Sequence, residues 1–314
     1  MAGKVCVFGA FNVDVVARLA HFPRPGESLI ATSSLMGAGG KGANQALAAA
    51  RAGARVHYIG KVGTDSFANF ARQHLNQSEI NVWTLFESHE KPTGNALIYV
   101  SEENGENMIG VDPGANLTVT ESEIESCLPV IKSSDLLLLQ MENNGDAIVK
   151  LLQHAHDHHV YVILNPAPYQ PIPDEALALA NLITPNSIEA ELLTGIEVHD
   201  IDSAKMAARA LHGKGVQNVL ITLGLKGALL STPTGFAHIP AYPAHPVDTT
   251  GAGDSFNGSL AACLSNGQKL EEAALFASAF ASVSVERVGA TQAMPYKQDA
   301  MERMRQFASL AVAS

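Results

Sequence analysis

From Asp135 to Thr222 the chain alternates apolar runs of strand length with stretches of helical period, and this alternation restricts the fold more than any other feature. Asp135 to Met141, Val160 to Leu164, Leu182 to Thr184 and Val219 to Thr222 read as strands, and 146–156, 174–180, 187–193 and 203–212 read as helices. Strands joined through helices lie parallel, because each crossover must return to the same end of the sheet. Runs without polar alternation are buried on both faces, so helices must cover both sides. The prediction is an α/β fold with a doubly wound, mostly parallel central sheet.

The strands in this region end in polar groups: Glu142, Asn165-Pro166, Pro185-Asn186 and the turn Thr222-Leu223-Gly224. Open α/β sheets bind ligands beyond the carboxyl ends of their strands. The same pattern opens the chain, where the apolar run from Lys4 to Ala10 precedes Asn12 and Asp14. These two alternate with apolar neighbours and share a face in extended chain. They mark either a ligand site or the solvated face of an edge strand.

Two stretches do not fit the alternation. Pro23-Arg24-Pro25-Gly26-Glu27 is a turn between two extended pieces, and Glu103-Asn104-Gly105 joins strands at 93–100 and 106–110. Together they predict a small β-sheet lid, discontinuous in sequence at 11–40 and 92–112, over a core of 1–10, 41–91 and 113–314. Between them a helix is expected from Ser66 to Gln77 and strands at 55–59 and 82–86, with a turn over 60–65. A helix over 121–128 follows.

Met36 to Gln45 is glycine-rich and opens an alanine-rich helix ending near Arg51. Gly37, Gly39 and Gly42 satisfy G-x-G-x-x-G, but the motif follows the first hairpin instead of the first strand, and no acid ends the next strand. No Walker A loop occurs. The glycines read as backbone approaching a polyol, with Asn44 adding an amide from the first helical turn. His154, His156, His158 and His159 fall at a helix end and read as solvated histidines near the dipole's negative pole.

A formal net charge of −11 argues against general affinity for nucleic acid or anionic membrane, so any phosphate must be held locally. Cys6, Cys127 and Cys263 show no metal-ligand or paired spacing and read as reduced packing residues of a cytosolic protein.

Val247 to Gly258 supplies such a local holder. Gly251, Ala252 and Gly253 let backbone approach a ligand, and a helix follows from Ser255 to Leu264, so its bare amides form an anion site. Asp254 is either a first-turn charge complementing the helix dipole or a base taking a proton from an attacking hydroxyl while the amides hold charge on a transferred phosphoryl group.

Gly39-Gly40-Lys41-Gly42-Ala43-Asn44-Gln45 and Asp248-Thr249-Thr250-Gly251-Ala252-Gly253-Asp254-Ser255-Phe256 together resemble the ribokinase-like sugar kinase family, over essentially the whole chain. The resemblance implies that Asp254 is the base and that Gly251, Ala252 and Gly253 form the anion hole. Asn12, Asp14, Gly39, Gly40, Lys41, Asn44 and Glu142 would hold the sugar with Asp254. Asn186 and Glu189, one helical turn apart, would order Mg²⁺ through its waters. Thr222, Gly224, Gly227, Gly253 and Ser278 would line ATP with Asn186, although many relatives carry Asn where Ser278 stands. Lys226 would be a phosphate neighbour or a solvated turn lysine. Asp248 and the carbonyls of Thr250, Ser284, Arg287 and Gly289 match a monovalent cation site, usually for K⁺, where Ala293 replaces the family's common serine.

The resemblance further implies a cytoplasmic, ATP-dependent kinase acting on the primary hydroxyl of a small sugar, D-ribose at O5 first, and a homodimer formed through the lid. Competing substrates are 2-deoxyribose, another pentose or ketose, and a nucleoside. A non-catalytic sugar sensor would dispense with Asp254, and a dehydrogenase would rest on the glycine match alone.

Overall fold

The computed structural model describes residues 2–313. In chain order the elements are β1 (Lys4–Phe8), β2 (Asn12–Leu19), β3 (Ser33–Gly39), α1 (Lys41–Arg51), β4 (Arg55–Val62), α2 (Ser66–Gln77), β5 (Val82–Glu87), β6 (Asn95–Ser101) and β7 (Asn107–Asp112). Next come α3 (Glu121–Lys132), β8 (Leu136–Gln140), α4 (Gly145–Asp157), β9 (Tyr161–Asn165), α5 (Asp174–Leu177), β10 (Leu182–Ile183), α6 (Ser187–Thr194) and α7 (Ile201–Gly213). The chain continues with β11 (Asn218–Thr222), β12 (Ala228–Thr232), β13 (Gly235–Ile239), α8 (Ala252–Ser265), α9 (Leu270–Ser284) and α10 (Lys297–Ala313).

A nine-stranded sheet has the order β13-β12-β11-β10-β9-β8-β1-β4-β5. Seven strands run parallel, and the hairpin β12–β13 extends the sheet antiparallel from β11. From β1 the chain first builds outward through β4 and β5, then returns to the other side at β8. The crevice at the carboxyl ends of β1 and β8 is therefore the topological switch point. Alternation along β1 divides the core: Val5 and Val7 pack on the side of Leu47, Phe256, Leu260 and Phe280, whereas Cys6 and Phe8 pack on the side of Ile124, Leu151 and Leu211. Helices thus cover both faces, which is why β8 is buried along its whole length.

The second sheet has four strands in the order β3-β2-β6-β7. In it β2 pairs antiparallel with β3 and parallel with β6. Asn12 and Asp14 consequently sit on an interior strand, which excludes the edge-strand reading.

Several expected boundaries shift. The turn placed over 60–65 is strand as far as Val62, paired with β5. Lys61 resembles a turn residue, but its ammonium is buried and donates to the Thr118 carbonyl at 2.6 Å and to Glu123. Helix α3 runs through Pro129 to Lys132, since burying Ile131 continues its apolar face. α5 is a single turn ending at Leu177, not a helix to Ala180. α8 begins at Ala252, three residues before the expected start, because Gly251 takes a left-handed conformation (φ 74°) and caps it. Among the described residues no helix is long and apolar enough to cross a membrane.

Candidate active site

Two helices that begin beside the crevice bring the chemistry together. α1 starts after Gly40, whose φ of 87° favours glycine and where a Cβ would lie 2.6 Å from the Ala10 carbonyl and 2.8 Å from Asn12 N. The chain thereby turns off β3 tightly against the end of β1. The Lys41 N–H donates to Glu142 Oε2 at 2.7 Å, joining the start of α1 to the segment after β8. Asn44 and Gln45 follow in the first turns and face α8. Asn44 Nδ2 donates to Asp254 Oδ2 at 3.0 Å, and Gln45 Nε2 donates to Asp254 Oδ1 at 2.9 Å. Asp254 is 5% exposed, so these amides replace water as the partners of its carboxylate.

Behind this pair runs a buried chain of polar groups that the sequence motifs leave without a role. Gln45 Nε2 also donates to Asn165 Oδ1, and Gln140 Nε2 donates to Gln45 Oε1 at 2.7 Å. Asn165 donates to the Thr184 carbonyl at 3.0 Å, the Thr184 hydroxyl to Asn257 Oδ1, and Asn257 Nδ2 to the Gly253 carbonyl at 2.9 Å. The network ties the ends of β8, β9 and β10 to the first turn of α8. The available signal was one polar residue closing each apolar run, Gln140 after four leucines and Asn165 after Leu164.

Asp14, on β2, lies within reach of the charge of Asp254, and Gly39 leaves room for it: a Cβ there would stand 2.4 Å from both Asp14 carboxylate oxygens. Burial, then the charge of Asp254, push the Asp14 carboxyl up to about 6. Burial likewise pushes Glu142 up to about 7 against the pull of Lys41. The Lys41 ammonium is raised in turn, chiefly by Asp254.

At the start of α8, the Ala252 N–H turns inward to the Thr249 carbonyl at 3.2 Å. Among the described residues the amides of Gly251, Gly253 and Asp254 have no partner, so the bare donors are these three and not Ala252. Beside them lies a cavity of about 270 Å³ lined by Thr222, Gly224, Gly227, Gly253 and Ser278, five positions expected to meet the nucleotide. Its remaining walls are mostly apolar, as a base requires. Asn186 is joined to Thr222 by a β-bridge and forms a capping box with Glu189, whose Oε2 accepts from Asn186 N–H at 2.8 Å and Oε1 from Asn186 Nδ2 at 3.0 Å. The Lys226 ammonium, in the turn after β11, donates to the His199 carbonyl at 2.6 Å.

Asp248 organises the loop before α8. Its Oδ1 accepts from Thr250 N–H and its Oδ2 from Gly289 N–H, both at 2.9 Å, which draws the segment after α9 against the anion site.

The profile of the pfkB family carbohydrate kinases matches residues 2–297. The chain belongs to the pfkB family of carbohydrate kinases. It is 38% identical to a ribokinase of Haemophilus influenzae over 302 residues, covering 96% of this chain and 98% of the relative. It is 34% identical to a deoxyribokinase of Salmonella typhi, covering 98% of this chain and 99% of that one. An Arabidopsis thaliana ribokinase structure, complexed with ribose and ATP, aligns with a TM-score of 0.89 at 29% identity, covering 96% of this chain and 99% of its own.

The two raised carboxyls give this pfkB kinase a testable pH response. Between the ordinary values of 3.8 and 4.5 and the folded values of about 6 and about 7, the folded chain holds protons that the unfolded chain has released. These groups therefore destabilise the fold as pH rises through that window. Asp14→Asn removes one of them, so it should gain on the order of 2 kcal/mol relative to wild type between pH 4 and 7.5. Urea midpoints at both pH values measure the gain; parallel pH curves for the two proteins would refute the cause assigned to Asp14.

Proposed function

We propose that this chain transfers the γ-phosphoryl group of ATP to the primary hydroxyl of D-ribose at O5. The observation that carries the reading is the position of Asp254. Its carboxylate is held by Asn44 and Gln45 at the sugar crevice, one residue from the Gly253 lining of the nucleotide cavity. A base there takes the proton of the attacking hydroxyl while the unpaired amides of α8 hold charge on the transferred group. Asn12, Asp14, Asn44 and Glu142 offer the donors and acceptors that a polyol needs, and Gly39, Gly40 and Lys41 close the crevice around it. Three bacterial ribokinases, at 35–38% identity, support ribose.

Residues 11–40 and 92–112 form the lid and the rest the core. Closing the lid excludes water that would otherwise compete for the phosphoryl group. The exposed apolar side chains Leu35, Leu97, Tyr99, Met108, Ile109 and Val111 on its sheet support a homodimer through this surface.

The donor set suits both expected cations. Asn186 Oδ1 and both Glu189 carboxylate oxygens each accept one hydrogen bond within the capping box, which leaves each a second lone pair for the waters of Mg²⁺. When bound, Mg²⁺ neutralises charge on the phosphates. The carbonyls of Thr250, Arg287 and Gly289 accept no hydrogen bond among the described residues, and with Asp248 and the Ser284 carbonyl they would hold K⁺. Ala293 is fully buried, and its side chain adds no oxygen. Ala293→Ser is expected to lower the K⁺ concentration for half-maximal activity several-fold; an unchanged K⁺ titration would separate residue 293 from the cation.

The 34% identity to a deoxyribokinase keeps 2-deoxyribose as the second reading. ATP-dependent phosphorylation of ribose, 2-deoxyribose, other pentoses, ketohexoses and nucleosides, with K⁺ exchanged for Na⁺, tests the proposal. Ribose should have the highest kcat/KM. Preference for another acceptor corrects the substrate, and no turnover of any would favour a sensor.

A further inference from the structure

The chain passes between its two sheets at Phe11, Gly40, Gly94 and the 3₁₀ turn Gly114–Thr118. Three of these crossings meet at one buried amide, that of Asn116, which is 1% exposed. Asn116 Oδ1 accepts from the Phe11 N–H at 3.2 Å, while Nδ2 donates to the Phe11 carbonyl at 3.1 Å and to Asn12 Oδ1 at 2.9 Å. The side chain pairs with the Phe11 backbone as a neighbouring strand would. A Cβ on Gly94 would lie 2.3 Å from both Asn116 Nδ2 and Asn12 Oδ1, so the third crossing presses on the same two amides. The Asn116 carbonyl accepts from Asn143 Nδ2 at 3.0 Å, next to Glu142.

These partners fix the orientation of both amides. Turned over, Asn116 would set its NH₂ against the Phe11 N–H and its oxygen against two acceptors. Because Asn12 Oδ1 is engaged by a donor, the Asn12 NH₂ is the end left for a ligand, and it has no partner among the described residues. We propose that Asn116 is a positioning residue that holds the lid hinge and aims the Asn12 NH₂ at a sugar hydroxyl. The inference rests on Asn12 being a sugar contact.

A double-mutant cycle with Asn12→Ala and Asn116→Ala tests it, read as ribose binding by calorimetry and as KM for ribose and ATP. Each single variant should weaken ribose binding about tenfold with KM for ATP unchanged, since in either one the hydrogen bond from the Asn12 NH₂ to ribose is lost. The double variant should be no worse than the weaker single by more than about twofold. Asn116→Asp, which keeps the shape but sets lone pairs against both acceptors, should reproduce the loss and stands in if the alanine variant does not fold. Thr118→Ala removes a hydrogen bond to the Ala115 carbonyl in the same turn without touching Phe11 or Asn12, and should leave ribose binding intact. Additive losses, an unaltered ribose affinity in either single variant, or a Thr118 variant that copies Asn116→Ala would each overturn the proposal. Failure of the ribose reading is distinct: it shows in the wild-type protein as absence of ribose turnover.

Discussion

Asp254→Asn is expected to lower kcat by roughly 10²- to 10⁴-fold while ribose and ATP still bind, because the substitution removes the proton acceptor and little else. The surroundings tolerate the change. Asp254 now accepts from two amides, and a new NH₂ in its place would confront one of those donors. The Asn44 Oδ1 is buried without a partner, so the Asn44 amide can turn over and accept from the new group. Thermal stability should change little. The loss must therefore lie in the chemical step, which single-turnover phosphorylation with saturating substrates measures. A near-normal rate would remove Asp254 from the role of base.

Gly258→Leu should cost about 3 kcal/mol of stability, the upper part of the range for overpacking. Gly258 lies one turn beyond Asp254 on α8, where that helix crosses α1. A Cβ would stand 2.3 Å from the Gln45 carbonyl, 2.6 Å from Ala48 Cβ and 2.9 Å from Ala49 N. Two of these atoms are backbone, so no side chain can swing aside. Helix propensity favours a side chain over glycine by about 1 kcal/mol, which is too little to offset the clash. Parting α1 from α8 also parts Asn44 and Gln45 from Asp254, so the folded fraction should turn over more slowly. Urea denaturation and the rate per folded molecule test the two effects separately. Wild-type stability in this variant would mean that the crossing yields.

The polar groups that meet at Asp254 were legible where a motif concentrates them. Gly39 to Gln45 and Asp248 to Phe256 each carry several functional groups within one helical turn of a glycine, and the structure sets those two segments against each other. Lys226 was ambiguous for the opposite reason. A lysine in a glycine turn beside the nucleotide cavity has many reachable partners, and the His199 carbonyl, 27 residues away, takes it. Asn116 was invisible, since a single amide in an irregular segment has no period and no motif.

The sequence by itself determined the doubly wound sheet, the two hairpins of the smaller sheet and the family, because periodicity, turn chemistry and helix starts are local and each is written within about ten residues. Boundaries moved where long-range contacts prevailed, as when Lys61 found Glu123 and stayed in β4. Only the tertiary structure decided which polar groups hold Asp254. Gln45 reaches it across 209 residues and meets Asn165 across 120 and Gln140 across 95. Such partners are selected by the cost of leaving a buried amide unpaired, and that cost exists only once the strands and helices have closed around it.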